Sequence, residues 1–173
     1  MNTTILALHV LLATLLVGPQ FLLFFAVIPA TWLIPDEALR RNVTRVVNQR
    51  FGLMSIVSLV GLVFTGLAML SLSPLSEVRD HMMELRFGVV FGLKMLTFLI
   101  LLVAIGVHGA VFGRRIRATS EAVERGEVDP GELEAARRNS LMFSMIILLL
   151  SVAVLFMGVM LGNHDFSMQP MGQ

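Results

Sequence analysis

Long apolar runs dominate the chain, and short charged stretches separate them. A membrane-spanning helix needs about 20 apolar residues to cross roughly 30 Å of hydrocarbon. Four runs reach that length: about Thr4 to Ile34, Phe51 to Leu72, Phe87 to Phe112, and Ser140 to Gly162. Residues 98–103 and 145–150 are apolar on every side, which is not the alternation of a barrel strand, so we expect helices. The pattern predicts an all-α integral membrane protein, a four-transmembrane-helix bundle.

The predicted domain is a single one over residues 1–173, with helices at about 4–34, 51–72, 87–112 and 131–162. Gly18-Pro19 interrupts the first helix, and Pro19 should kink it because proline has no backbone N–H. Asp129-Pro130 is typical of a helix start, so the fourth helix is predicted to begin well before its apolar run. No lysine or arginine precedes the first run, which favours a membrane helix over a removable signal peptide.

Charged residues make up only 14% of the chain, against roughly 25% in soluble domains, and they are segregated. Loops 35–50 and 113–139 hold ten arginines: Arg40, Arg41, Arg45, Arg50, Arg114, Arg115, Arg117, Arg125, Arg137 and Arg138. The opposite face has only Arg79 and Arg86. The positive-inside rule therefore predicts cytoplasmic loops and an N-out/C-out, multi-pass protein of the inner (plasma) membrane, with both termini periplasmic or extracytoplasmic. Nucleic acid is not an expected partner.

Two small-xxx-small patterns, Gly109 to Gly113 and Gly158 to Gly162, allow helix backbones to approach closely. Packing within the bundle is the simpler interpretation. The alternative is a homodimer or a larger membrane complex assembled in the lipid bilayer through these faces.

Histidine and methionine are concentrated toward the predicted outer face. His9, His81 and His164 lie there, with eight of the twelve methionines: Met1, Met69, Met82, Met83, Met157, Met160, Met168 and Met171. On the fourth helix, Met142, Met145, Met157, Met160 and His164 share a stripe about 120° wide. Thioether and imidazole together suit copper, so we expect His9, His81, His164, Met157, Met160 and Met168 to be candidate metal ligands. The alternative is that methionine only fills gaps on the face turned to the bundle.

His108 and Lys94 lie inside the third run, where ionisable groups are expensive and usually paired or functional. His108 has the small neighbours Gly106, Gly109 and Ala110, which leave room for a b-type haem with His108 as axial ligand and Met142 or Met145 as the other. Lys94 could hold a carboxylate such as a haem propionate, or reach the membrane surface with its ammonium. A neutral histidine bonded to a neighbouring helix is the structural alternative.

Short motifs along residues 7–157 carry a resemblance to known membrane proteins. They are Ala7-Leu8-His9-Val10, Arg50-Phe51, Thr65-Gly66-Leu67, Gly92-Leu93-Lys94, His108-Gly109 and Gly113-Arg114-Arg115. In order, they resemble the copper resistance protein D domain and its relative, the HemJ-type protoporphyrinogen oxidase. The first resemblance implies copper uptake or tolerance, and the second implies a haem-binding oxidase; both would carry over His9, Lys94 and His108. Val107 stands where the HemJ-type pattern has tyrosine, and His108 where the copper-type pattern often has asparagine, so both branches stay open.

Three functions therefore remain: copper handling, haem-dependent redox chemistry, and an accessory scaffold without chemistry. The outer methionine and histidine bias favours copper, because it is independent of the resemblance. A catalytic serine triad, a phosphate-binding loop and paired catalytic carboxylates are missing from the sequence, which argues against hydrolysis and phosphoryl transfer.

Overall fold

A computed structural model describes residues 3–72 and 84–170 of the chain. In these ranges, four helices are long and apolar enough to cross a membrane: Thr3–Trp32, Glu37–Ser71, Arg86–Glu124 and Pro130–Gly162. This confirms the predicted all-α class and indicates a multi-pass membrane protein. The chain divides into two compact units, an N-terminal unit of Met1–Met82 and a C-terminal unit of Met83–Gln173.

The N-terminal unit pairs its two long helices. The first consists of α1 (Thr3–Leu22), a π-helical turn (Leu23–Val27) and α2 (Ile28–Trp32), and the second is α3 (Glu37–Leu72). The π-helical turn lies just before Pro29, whose missing N–H leaves the carbonyl oxygen of Phe25, inside the turn, without its usual partner four residues on. Leu16 and Val17 of α1 and Ser55, Ser58 and Thr65 of α3 are buried in this pair.

The C-terminal unit has a longer first helix. It consists of α4 (Arg86–Val107), a second π-helical turn (His108–Phe112) and α5 (Gly113–Glu124). Gly126 reverses the chain with a φ of 72°, a conformation that favours glycine. Then α6 (Pro130–Gly162) runs back, followed by the short α7 (His164–Ser167). Asp129 caps α6 by accepting a hydrogen bond from the backbone N–H of Gly131 at 2.6 Å.

The arginine-rich stretches between the apolar runs are helical rather than extended loops. Helix α3 begins at Glu37, so most of the stretch 35–50 belongs to it, and α5 and the start of α6 take up most of 113–139. At 1.5 Å per residue, the 36 residues of α3 extend about 54 Å, longer than the hydrocarbon core. Its charged first part therefore projects beyond the lipid.

Helices α4 and α6 pack in a regular antiparallel register. Lys94 lies at Gly158 and His108 lies at Ser144, so fourteen residues along α4 correspond to fourteen back along α6. Leu101 and Ser151 stand halfway between these contacts and are only 1% and 2% exposed. At each level a long side chain on α4 corresponds to a small residue on α6, which brings the two helices close together.

Candidate functional site

His108 sits where α4 changes into the second π-helical turn, and it faces α6. Its Nε2 atom lies 3.4 Å from the Ser144 hydroxyl oxygen. The His108 ring stacks with Phe143 at a centroid distance of 6.0 Å and with Phe112 at 5.7 Å, and those two rings are 4.9 Å apart. We call His108, Phe112, Phe143 and Ser144 the aromatic cluster; it holds the imidazole in one orientation.

The hydrogen bonds of Ser144 determine which nitrogen of His108 carries the proton. The Ser144 hydroxyl donates its single proton to the carbonyl oxygen of Ser140 at 3.0 Å, so it can only accept from His108. Nε2 is therefore protonated, and Nδ1 keeps a lone pair. Nδ1 is buried and has no hydrogen-bond partner among the described residues, which leaves one unused acceptor inside the unit.

The π-helical turn at His108 is a second unusual feature of this site. The N–H of Gly113 bonds to the carbonyl oxygen of His108, five residues earlier, in place of the usual four. Single π-helical turns occur frequently at functional sites, because the extra residue redirects side chains locally. The turn brings both Phe112 and His108 into contact with Phe143.

Lys94 and the aromatic cluster lie at opposite ends of the α4–α6 interface. Its ammonium nitrogen is 3.4 Å from the position that a Cβ atom at Gly158 would take. In the described part of the chain, the ammonium has no ion pair or hydrogen bond. The glycine at 158 lets this side chain lie close against α6.

Lys94 and His108 are about 21 Å apart along their helix. Leu101 is packed between them with Ala104 and Ile147, so the interface is filled along that length. This separation is greater than the distance from the iron of a haem to its propionate carboxylates, so one haem could not be held by both residues. Met142 is 64% exposed, and Met145 is half-buried, whereas the α6 residues that contact His108 are Phe143 and Ser144.

The segment after α6 folds back onto the start of α4. Leu85 and Pro170 form an isolated antiparallel bridge, and the N–H of Arg86 donates to the carbonyl oxygen of Gln169 at 3.0 Å. The Arg86 guanidinium lies 5.4 Å from the centre of the Phe166 ring. Ser167 is 1% exposed, so this tail is packed against the unit rather than detached from it.

The tail carries two of the candidate copper ligands, His164 in α7 and Met168 directly after it. Met168 and Met160 are half-buried, while Met157 is only 8% exposed and lies within the helix pair. Leu85, to which the tail is bridged, follows the sequence His81-Met82-Met83 by two residues. His81 itself lies outside the described residues. Over residues 3–72 and 84–170, no group of three or more histidine, aspartate or glutamate residues could hold a metal.

His9, the candidate ligand in the N-terminal unit, bonds to the facing helix. Its Nδ1 atom lies 2.7 Å from the Thr65 hydroxyl, which donates its own proton to the carbonyl oxygen of Gly61 at 2.7 Å. Nδ1 of His9 is therefore the donor. The ring passes over Gly66, whose Cβ position would be 3.7 Å from the His9 Cε1 atom. This arrangement satisfies the ring nitrogen that faces α3.

No sequence pattern identified the side chains that surround His9 and His108 as site residues: Thr65, Phe112, Phe143 and Ser144. The signal for two of them was present, because Ser140, Ser144, Ser151 and Gly158 recur at helical spacing on α6, and Ser55, Ser58 and Thr65 do so on α3. The π-helical turn at His108 has no comparable sequence signal.

Comparison with known proteins gives no relatives: no family model, no curated protein and no solved structure matches this chain.

Proposed function

We propose that this chain is a copper-handling inner-membrane protein, active in uptake, tolerance or delivery, which collects the ion at the outer end of its C-terminal unit. The observation that carries the proposal is the fold-back of the tail. Its bridge from Pro170 to Leu85 holds His164 and Met168 at the end of the unit where Met160 also lies. The same bridge joins the tail to Leu85, two residues after His81-Met82-Met83 in sequence.

Ligand chemistry supports copper over harder metals. Thioether sulfur does not need to lose a proton and binds Cu(I) well, and imidazole binds either oxidation state. Met160, His164 and Met168 form the ligand set in this proposal. Met157 is buried in the helix pair, so it would receive the ion only after the outer ligands.

Lys94 limits how far a cation could move inward. Its ammonium lies at Gly158, the neighbour of Met157 in sequence. A positive charge in a medium of low dielectric repels a copper ion strongly. The proposal therefore places capture at Met160, His164 and Met168, and does not extend the path along α6 to Met145 or Met142.

A competition titration tests the copper proposal. The purified protein in mild detergent would compete for Cu(I) with a coloured chelator, and the variants would be His164→Ala and the pair Met160→Leu with Met168→Leu. We expect each variant to lower copper affinity at least tenfold, about 1.4 kcal/mol. Met142→Leu is the matched control, since Met142 is exposed at the other end of α6. Equal affinity in all of them would contradict the proposal.

The unpaired nitrogen of His108 favours a second candidate, a b-type haem bound at the aromatic cluster. Nδ1 of His108 is buried without a hydrogen-bond partner among the described residues, and an imidazole lone pair is what haem iron binds. In this candidate His108 is the axial ligand, Met142 or Met145 is the possible second ligand, and Lys94 is too distant to hold a propionate. Bound haem would supply one-electron redox chemistry.

An absorption spectrum distinguishes the two candidates in the same preparation. A Soret band that shifts on reduction and is lost in His108→Ala, but kept in His9→Ala, would support haem. A colourless protein with near-stoichiometric copper would support copper. A protein with neither, stable only in a larger assembly, would point to the accessory scaffold.

A further inference from the structure

Three arginines cluster in the first turn of α5, directly after the apolar part of its long helix. We call Arg114, Arg115 and Arg117 the arginine turn. All three side chains are exposed, and none forms an ion pair or hydrogen bond with any other residue in the part of the chain that the structure describes. Three unpaired like charges within four residues repel one another, so the turn is suited to bind an anion.

Three arginines elsewhere in the described residues have carboxylate partners. Arg40 bonds to Glu37, Arg125 to Glu127 at 2.7 Å, and Arg137 to Glu134 at 2.7 Å. Carboxylates are thus available in these segments, and the chain uses them to neutralise neighbouring arginines. On α5 the glutamates come only at positions 121 and 124, and although Glu121 follows Arg117 by one helical turn, no ion pair joins those two among the described residues.

The arginine turn points away from the rest of the C-terminal unit. At 100° per residue, Arg117, Arg114 and Arg115 cover an arc of about 160° on α5. Ser120, on the opposite side of the helix, is 4% exposed, and α5 packs along α6. The charged side therefore remains accessible while the other side is packed.

The position of the turn along the helix matches the level of lipid headgroups. Val111 is 54% exposed and belongs to the apolar run, and Arg114 follows it by less than one helical turn of about 5.4 Å. Guanidinium groups bind phosphate oxygens through paired N–H donors, whereas lysine acts only as a point charge. The anion found at this depth of a membrane is the phosphate group of a phospholipid.

We propose that the arginine turn binds the headgroups of anionic phospholipids at the membrane face where α4 and its π-helical turn end. Clusters of basic residues next to a span attract anionic lipid by about fivefold per residue at moderate salt. Three arginines should therefore favour an anionic over a zwitterionic headgroup on the order of 100-fold. This selection is independent of the copper proposal, because it uses the other end of the C-terminal unit.

Native mass spectrometry of the detergent-solubilised full chain tests the proposal. The protein would be titrated with equal mixtures of phosphatidylglycerol and phosphatidylcholine, and the retained lipid counted. We expect the wild type to retain phosphatidylglycerol preferentially and the triple variant Arg114→Gln, Arg115→Gln, Arg117→Gln to lose most of that preference. The matched control is Arg125→Gln with Arg137→Gln, which removes two paired arginines and should change little.

Two further arms keep the test decisive. If the triple variant fails to fold, salt titration of the wild type replaces it: the preference should fall steeply as ionic strength rises, because these charges are exposed. Inorganic phosphate at the lipid concentration should not displace the lipid. An unchanged preference in the triple variant or in high salt, an equal loss in the control, or full displacement by inorganic phosphate would overturn the proposal.

Discussion

In the N-terminal unit His9 donates to Thr65 across 2.7 Å, whereas in the C-terminal unit His108 meets Ser144 at 3.4 Å. Both units place a histidine on their first long helix against a hydroxyl on their second. The nitrogen of His9 that faces α3 is engaged in a hydrogen bond, while His108 keeps a buried nitrogen that has no partner within residues 3–72 and 84–170. The comparison teaches that similar helix pairs can hold a histidine for packing in one case and leave it chemically available in the other.

Adding a methyl group where two helices are in close contact should lower stability most in the N-terminal unit. A Cβ atom at Gly61 would lie 2.7 Å from Leu12 Cδ1 and 3.5 Å from its Cγ, so Gly61→Ala forces Leu12 to move. We expect a loss of about 1–3 kcal/mol, measured by SDS titration of helicity in mixed micelles. Gly52→Ala on the same helix is the control, since nothing lies within 4 Å of its Cβ position. Equal stability of the two variants would contradict this packing.

The corresponding change in the C-terminal unit should have a smaller effect. Gly158→Ala brings a Cβ within 3.4 Å of the Lys94 ammonium, which is the movable end of a long side chain. We expect less than half the loss seen for Gly61→Ala. Gly162→Ala, with nothing within 4 Å, is the control and should be neutral or slightly stabilising. A loss as large as that of Gly61→Ala would mean that Lys94 is held rigidly.

Removing the hydroxyl partners should sharpen the contrast between the histidines. Thr65→Val removes a short interhelical hydrogen bond and should lower stability by about 1 kcal/mol in micelles. Ser144→Ala removes only a 3.4 Å contact, so we expect a few tenths of that cost. The same SDS titration measures both, and a larger effect at Ser144 than at Thr65 would reverse the assignment of the structural histidine.

The smallest effect on stability is expected in the turn between α5 and α6, where it should depend on pH. The hydrogen bond from Arg125 holds the pKa of Glu127 below its usual value. Because the folded pKa is depressed, the stabilisation is present above the unfolded pKa and is lost as pH falls through the folded one. The thermal midpoints of wild type and Glu127→Gln should differ slightly near neutral pH and converge in acid. A difference that widens in acid would contradict this sign.

Sequence reasoning predicted the four long helices because lipid demands long apolar runs and internal backbone hydrogen bonds. It also predicted a helix start near residue 130, since Asp129 and Pro130 are local signals. The apolar pattern could not show that α3 begins as early as Glu37, because helix outside the lipid needs no apolar run.

The surroundings of the candidate ligands were less predictable. Lys94 and His108 share a face, as their spacing indicated, yet Leu101 fills the interface between them. The bridge from Pro170 to Leu85 joins residues far apart in sequence, and no local pattern encodes it. The sequence thus indicated which residues are candidate ligands, while their neighbours depend on the register of the helix pairs.

The most direct test of the copper proposal is copper binding by the purified wild-type protein in mild detergent, measured by elemental analysis alongside its visible spectrum. We expect near-stoichiometric copper, no Soret band, and loss of the metal when the tail is removed from His164 onward while helicity is retained. A Soret band with no copper, or copper content unaffected by removal of the tail, would contradict it.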